Sequence, residues 1–280
     1  MIRLLQISDP HFGTQRPEVV AALTALSHSL APDLVVLSGD ITQRARRTQF
    51  EQARQFTQQL MRPVLAVPGN HDIPLFNLYS RLFRPYGNYR RAFGDDLEPE
   101  FQSAELLVIG VNSSRPGRHK DGEVSQRQID RVRQRLEQAS PQQLRVVVQH
   151  HPVRAIEESD TSNLLIGRER AIPAWVDAGA DLILGGHIHL PYALPLTART
   201  GELGRQAWAL QAGTAVSSRV RGEIPNSVNL VRYNPDPAQP QCVAERWDYN
   251  QQSEQFEVAR THLLPLSRSA AGCAVSHGGL

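Results

Sequence analysis

The chain has 280 residues, of which 40% are hydrophobic and 21% charged, with 30 basic against 28 acidic side chains. That composition supplies a sizeable core and excludes an intrinsically disordered chain, while the near-neutral balance argues against nucleic-acid binding by bulk charge. The two cysteines, Cys242 and Cys273, cannot build a zinc ribbon or a disulfide framework, and no apolar run approaches the ~18–20 residues of a membrane-spanning helix.

The first segment, Met1 to Asp9, is too soon interrupted for a secretory signal and reads as a strand. With the cysteine usage, this predicts a reducing, cytoplasmic setting and no membrane partner. Leu4 to Ile7, Leu34 to Leu37, Val64 to Val67, Leu106 to Val111, Val146 to Val148 and Leu182 to Leu184 read as buried strands. They are short, rich in Val, Leu and Ile, and bounded by Gly, Pro, Asn or Asp. Between them Val19, Leu23, Leu26 and Leu30 share one helical face, as do Phe50, Ala53, Phe56 and Leu60, and further on Ile129, Val132 and Leu136. Strand, helix, strand in repetition implies an α/β class with parallel pairing.

Past residue 190 the helical periodicity stops, and strand-like pieces follow at Tyr192–Leu196, Gln206–Gln211, Val228–Tyr233, Val243–Tyr249 and Gln255–Thr261. They predict a second, mostly antiparallel sheet in residues 191–267, packed on a βα core of residues 1–190 within one domain, 1–267. Residues 268–280 are small and Gly-rich and are expected to form a disordered tail. Lys120 is the only lysine. So arginine-rich a chain suits phosphate recognition by guanidinium forks, with codon usage in a GC-rich genome as the plainer explanation.

The chemistry shows in position. Asp9 and His11 follow the first strand, and Asp40 follows Leu34–Leu37 through Ser38-Gly39. Asn70, His71 and Asp72 follow Val64–Val67 through Pro68-Gly69, His150 and His151 close Val146–Gln149, and His187 and His189 follow Gly185-Gly186. Open α/β sheets place ligand sites outside the carboxyl ends of their strands. Six of the ten histidines lie in these segments. A lone histidine at a strand end is usually structural; five coincident clusters are not explained that way. Imidazole, carboxylate and one carboxamide form a mixed N/O set suited to Mn, Fe or Zn. Roughly seven ligands exceed the needs of one ion and suggest two sharing a carboxylate, as in two-metal phosphoryl-transfer sites with ions about 3.5–4 Å apart.

Asp9-Pro-His11, Gly39-Asp40, Gly69-Asn70-His71-Asp72, His150-His151-Pro152 and Gly186-His187-Ile188-His189 together resemble, in order, the calcineurin-like metallophosphoesterase superfamily. The resemblance implies a four-layer fold of two facing mixed β-sheets flanked by helices. It implies one metal held by Asp9, His11, Asp40 and His189, and a second by Asp40, Asn70, His150 and His187, with Asp40 bridging. His71 matches the non-ligand histidine that assists the transition state or protonates the leaving oxygen, so Asp40, Asn70 and His71 form the catalytic set. His151 reads as a supporting or structural neighbour and Asp72 as a supporting or helix-capping carboxylate. The implied chemistry is in-line attack on phosphorus by a metal-generated hydroxide.

Gly39-Asp40-Ile41-Thr42-Gln43-Arg44 lacks the second acid of the protein Ser/Thr phosphatases of this superfamily, and Asp72 replaces their Glu. The Gly-Asn-His-Asp form is instead similar to bacterial class III cyclic-nucleotide phosphodiesterases and to glycerol phosphodiesterases. More loosely, so are Asn112 to Gly117 and Ala212-Gly213-Thr214-Ala215 followed by Arg219 to Arg221. The expected substrate is a small phosphodiester, most plausibly a 3′,5′-cyclic nucleotide such as cAMP. A glycerophosphodiesterase, a phosphomonoesterase or a nuclease is the near alternative, and a non-catalytic, metal-stabilised scaffold the distant one. Arg115, Arg118 and His119 are read either as a substrate-gripping loop or as ordinary surface arginines. Arg44, Arg46 and Arg47 cluster at the start of a predicted helix, where cations are mildly unfavourable, and anion attraction is the minority reading of them. Trp175, Trp208 and Trp247 are scattered and read as core or interface aromatics, not stacking platforms. Exposed strands near the carboxyl terminus could form a homodimer edge.

Overall fold

The computed structural model describes residues 1–197, 205–236 and 241–267. Its elements in chain order are β1 (Ile2–Ile7), α1 (Pro17–Leu30), β2 (Leu34–Ser38), α2 (Arg47–Gln59) and β3 (Val64–Val67). Next come α3 (Leu78–Phe83), α4 (Gly87–Phe93), β4 (Glu100–Gln102), β5 (Leu106–Gly110), α5 (Gln126–Glu137), β6 (Leu144–Val148), α6 (Arg168–Asp177) and β7 (Leu182–Gly185). Five strands complete the order: β8 (Tyr192–Thr197), β9 (Gln206–Gln211), β10 (Ser227–Asn234), β11 (Gln241–Asn250) and β12 (Gln255–Leu263).

The strands form two six-stranded mixed sheets, β12-β11-β10-β1-β2-β3 and β4-β5-β6-β7-β9-β8. Their period of two decides the layering. Leu4, Leu34, Val36, Val108, Val146, Val148 and Leu184 point between the sheets into one buried cluster. The alternate residues Leu5, Ile7, Val35 and Leu37 face Val19, Leu23, Phe50 and Phe56 of α1 and α2. On the far side Leu107, Ile109, Val147 and Ile183 face Ile129, Val132 and Trp175 of α5 and α6. Each parallel strand is thus buried on both faces and reads as a continuous apolar run.

β1, β2 and β3 pair in parallel, as do β5, β6 and β7. Residues 191–267 do not form a sheet of their own. β8 and β9 extend one sheet, with β9 parallel to β7, while β10–β12 join the other through an antiparallel β10–β1 pair. The reason is edge closure: β1 and β7 would otherwise leave open edges, and each is covered by later strands. The expected tail, 268–280, and Cys273 lie outside the described residues. Cys242 is buried. No helix among the described residues is long and apolar enough to cross a membrane. Trp175 is fully buried, and its Nε1 donates to the Ile129 carbonyl at 3.3 Å.

Below the carboxyl ends of the central strands the apolar layer gives way to paired amides. Gln6 Nε2 donates to Ser38 Oγ at 3.1 Å and to the Gly185 carbonyl at 2.9 Å, and Asn229 Nδ2 donates to Gln6 Oε1 at 3.0 Å and to the Gln211 carbonyl at 3.1 Å. These bonds satisfy buried polar groups while tying one sheet to the other beneath the ligand-bearing loops.

Candidate metal centre

Every loop singled out in the sequence arrives at one place. Asp9 and His11 leave β1, Asp40 leaves β2, Asn70 and His71 begin a short 3-10 turn, Asn70–Asp72, after β3, His150 follows β6, and His187 and His189 leave β7. The turns are tight enough to force left-handed backbone on side chains that resist it. Asp9, His11, Asp40, His187 and His189 have φ of 50°, 44°, 47°, 75° and 56°. Such conformations cost about 1 kcal/mol or more per residue, and their clustering here marks a site whose geometry is imposed by its surroundings. Two glycines permit the approach. A Cβ on Gly39, at φ 92°, would lie 2.4 Å from His150 Nδ1, and one on Gly186 would lie 2.0 Å from Ser8 Oγ and 2.4 Å from Asp9 Oδ2.

The ligand-type atoms form overlapping groups. Asp9, His11 and His189 offer atoms within 4.8 Å of one another, as do Asp9, Asp40 and His150, and also His150, His151 and His187. His11 Nε2 lies 3.1 Å from His189 Nε2, and Asp9 Oδ1 lies 3.2 Å from the latter. Asp40 Oδ2 stands between the groups, 3.3 Å from His150 Nε2 and 3.8 Å from His11 Nε2. Asn70 joins Asp40, His71, His187, His189 and Arg219 around one open depression of about 570 Å³.

Other contacts aim these atoms inward. Asp9 Oδ2 accepts from Ser8 Oγ at 2.7 Å and from the His187 backbone N–H at 3.0 Å, which leaves Oδ1 free. Asp40 Oδ1 accepts the His71 backbone N–H at 2.7 Å. His150 Nδ1 donates to the Ser38 carbonyl at 2.9 Å and His189 Nδ1 to the Arg219 carbonyl at 2.6 Å, so both rings present Nε2. Asp9 Oδ1, Asn70 Oδ1, His150 Nε2 and His187 Nδ1 are buried with no hydrogen-bond partner among the described residues. Three of these atoms, Asp9 Oδ1, Asn70 Oδ1 and His187 Nδ1, turn lone pairs into one space and His150 Nε2 adds another once deprotonated, an arrangement that is costly unless a cation takes them, and the donor set suits a divalent ion.

The charges agree. Burial drives His11 down to about 3, and burial with His150 nearby does the same to His187, so both are neutral imidazoles. Burial also opposes a charged His150, but Asp40 beside it outweighs that and pushes its pKa up to about 9. Asp9, although buried, is held below the usual carboxylate range by His189, and Asp40 well below it by His150.

His151 is excluded from the ligand atoms by its own bonds: Nδ1 meets Ser113 Oγ at 2.8 Å and Nε2 donates to the Lys120 carbonyl at 3.0 Å. It packs 4.7 Å, centroid to centroid, from His187. Asp72 faces away from the depression and staples two loops, accepting from the backbone of Gly69, Ile41 and Thr42 and from Thr42 Oγ1 at 2.8–3.0 Å. Burial, and after it Asp40, push its pKa up to about 6.

The loop arginines divide. Arg115 is spent on the Asn112 and Ser114 carbonyls and on Gln128, and Arg118 pairs with Glu123 at 2.5 Å. Arg47 pairs with Glu51 on α2, whereas Arg44 shares a small recess with Asn70, His71 and His119. Arg219, which the sequence offered only as part of a loose similarity and without a role, is the basic residue that reaches the site. Its Nη1 lies 3.1 Å from Gln43 Oε1, 3.3 Å from His71 Nε2 and 3.5 Å from His11. Its one signal was the loose similarity around Ala212–Ala215. His71 itself is anchored by Nδ1, 2.9 Å from the Gln43 carbonyl, which leaves Nε2 toward the depression.

A family profile described as calcineurin-like phosphoesterase matches residues 2–191. A Synechococcus sp. protein named a probable cyclic nucleotide phosphodiesterase is 31% identical over 184 residues, covering 65% of this chain and 67% of that protein. A probable glycerophosphodiester phosphodiesterase, GpdQ, from Arcobacter nitrofigilis is 29% identical over 160 residues, covering 56% of this chain. The match spans 57% of that relative's length. Among solved structures, a dimetal phosphatase from Danio rerio superposes with a TM-score of 0.65 at 14% identity, over 95% of this chain and 99% of that one. At that identity the likeness concerns the fold.

Proposed function

The chain belongs to the calcineurin-like phosphoesterase family, and we propose that it hydrolyses a small phosphodiester at a dinuclear metal centre, with a 3′,5′-cyclic nucleotide such as cAMP as substrate. The observation that carries this reading is the convergence of unpartnered, buried Asp, Asn and His atoms on the two sides of Asp40. Asp9, His11, Asp40 and His189 would hold one ion and Asp40, Asn70, His150 and His187 the other, with Mn, Fe or Zn suited to such ligands. When bound, divalent cations supply acidity to water at neutral pH and offset charge on phosphoryl oxygens.

The chain's own groups do the rest. Arg219 reaches into the depression from the side of His71 and can grip a phosphoryl oxygen, while Lys120 adds positive potential at the rim. His71 donates Nδ1–H to the Gln43 carbonyl, so a proton delivered to the departing alkoxide would pass through Nε2. A depression of about 570 Å³ lies within the range of small-molecule sites. The Arcobacter relative's name supports a second reading, a glycerophosphodiester substrate.

The test compares hydrolysis of 3′,5′-cyclic AMP, 2′,3′-cyclic AMP, glycerophosphodiesters, bis-(p-nitrophenyl) phosphate and p-nitrophenyl phosphate on Mn-loaded protein, with Asn70→Ala as control. Preference for 3′,5′-cyclic AMP is the expected result. Preference for a glycerophosphodiester would move the assignment to the second reading, and preference for the monoester would overturn both.

A further inference from the structure

Phe76, Leu78, Tyr79, Leu82 and Phe83 are each between 63% and 79% exposed, and α3, which carries four of them, buries no residue. So short a helix is not stable in water on its own. It is held from outside: Asn77 Oδ1 caps it by accepting the Ser80 N–H at 2.9 Å, and Arg81 donates to the Pro74 carbonyl at 3.1 Å and to the Arg118 carbonyl at 3.3 Å. Tyr79 and Phe83 stack at 4.9 Å, and Arg44 lies over the Phe76 ring at 5.4 Å. The result is a fixed shelf of aromatic and leucine side chains in water. Contiguous exposure of this kind marks a contact surface.

Charge identifies the contact. Between Asp72 and Asp95 the chain carries Arg81, Arg84, Arg90 and Arg91 and no carboxylate. Arg81 also borders the recess shared with Arg44, His71 and His119, so the shelf adjoins the basic rim of the metal depression. We propose that this shelf docks the protein on an anionic lipid surface, with the rings and leucines entering the headgroup boundary and the exposed Arg84 facing lipid phosphates. A second copy of the chain fits less well. In a two-fold contact the patch meets itself, and Arg81 and Arg84 would face their own counterparts with no carboxylate in the segment to offset them. The proposal concerns attachment, not spanning, and holds whatever diester the depression takes.

The experiment is co-sedimentation of the full chain with vesicles of phosphatidylcholine alone or mixed with phosphatidylglycerol, beside light scattering of the protein in solution. The expected result is binding to the anionic vesicles, weakened by salt and nearly absent on the neutral ones. Arg84→Gln should weaken it about fivefold, the usual worth of one basic residue near such a surface. Leu82→Ser combined with Phe83→Ser should abolish it while melting temperature and hydrolysis of a soluble diester stay unchanged, because both side chains lie in solvent. Equal binding to neutral and anionic vesicles, or undiminished binding by the double variant, would overturn the proposal. A dimer that the double variant dissociates, with no vesicle binding, would assign the shelf to a contact between copies instead.

Discussion

His150 and His189 each have a carboxylate beside the ring nitrogen that points at the proposed metal position. Asp40 outweighs the burial of His150 and lifts its pKa to about 9, and Asp9 does the same in direction for His189. Below about 9 the metal-free protein carries a proton on His150 where a cation must sit, whereas His11 and His187, held at about 3, are already neutral. Metal uptake must therefore release protons, and affinity must fall as pH drops below about 9. Calorimetric titration with Mn near neutral pH, in buffers of different ionisation enthalpy, should show at least one proton released per chain; no buffer dependence would contradict this. The same raised pKa stabilises the metal-free fold below the unfolded value of 6.5, a contribution lost as pH rises through about 9. His71 is a different case, because Gln43 and not an acid orients it. His71→Ala should keep its metal and lose about 10²–10⁴ in turnover. Metal analysis showing an emptied site would remove His71 from the proton-donor role.

At the scale of elements, the site depends on β1 and β7 ending side by side. Gly186→Ala would drive a methyl group into Ser8 and Asp9, so it should cost about 1–3 kcal/mol of overpacking and release metal. Thermal melting with metal analysis checks both; full metal content would show that the loops are not locked together. The strands carrying these loops were legible because burial on both faces leaves continuous runs such as Leu34–Leu37, and the helices α1, α2 and α5 because each has one apolar stripe. Elements without such a stripe were not: α3 buries nothing, α6 contains Pro173, and β4 is three residues at a sheet edge. Positions just past strand ends brought all seven proposed ligands to one edge. Arg219 was given no role because it lies well past the end of β9, too far along its loop for the strand to aim it, and its place is fixed by tertiary contacts with Gln43 and His71. Pairing partners escaped for a related reason, since alternation gives a strand's faces but not its neighbour.

For the whole molecule, the two sheets contribute unequally and jointly. Asp9, His11, Asp40 and Asn70 come from the sheet containing β1–β3, and His150, His187 and His189 from the sheet containing β6 and β7. A metal held between them would clamp the sandwich at its open end, as the Gln6–Asn229–Gln211 amides do beneath. Binding to the folded state alone adds about 4 kcal/mol at a thousandfold excess over the dissociation constant, so chelation should lower the melting temperature reversibly. An unchanged melting temperature after verified metal removal would separate the site from the stability of the fold. The most direct test of the dinuclear account is to titrate Mn into metal-free protein while following hydrolysis of bis-(p-nitrophenyl) phosphate. The account predicts activity that is absent without metal, rises to a plateau at two equivalents per chain, and does not appear in Asp40→Ala. Full activity in excess chelator, a plateau at one equivalent, or no hydrolysis at saturating Mn would contradict it.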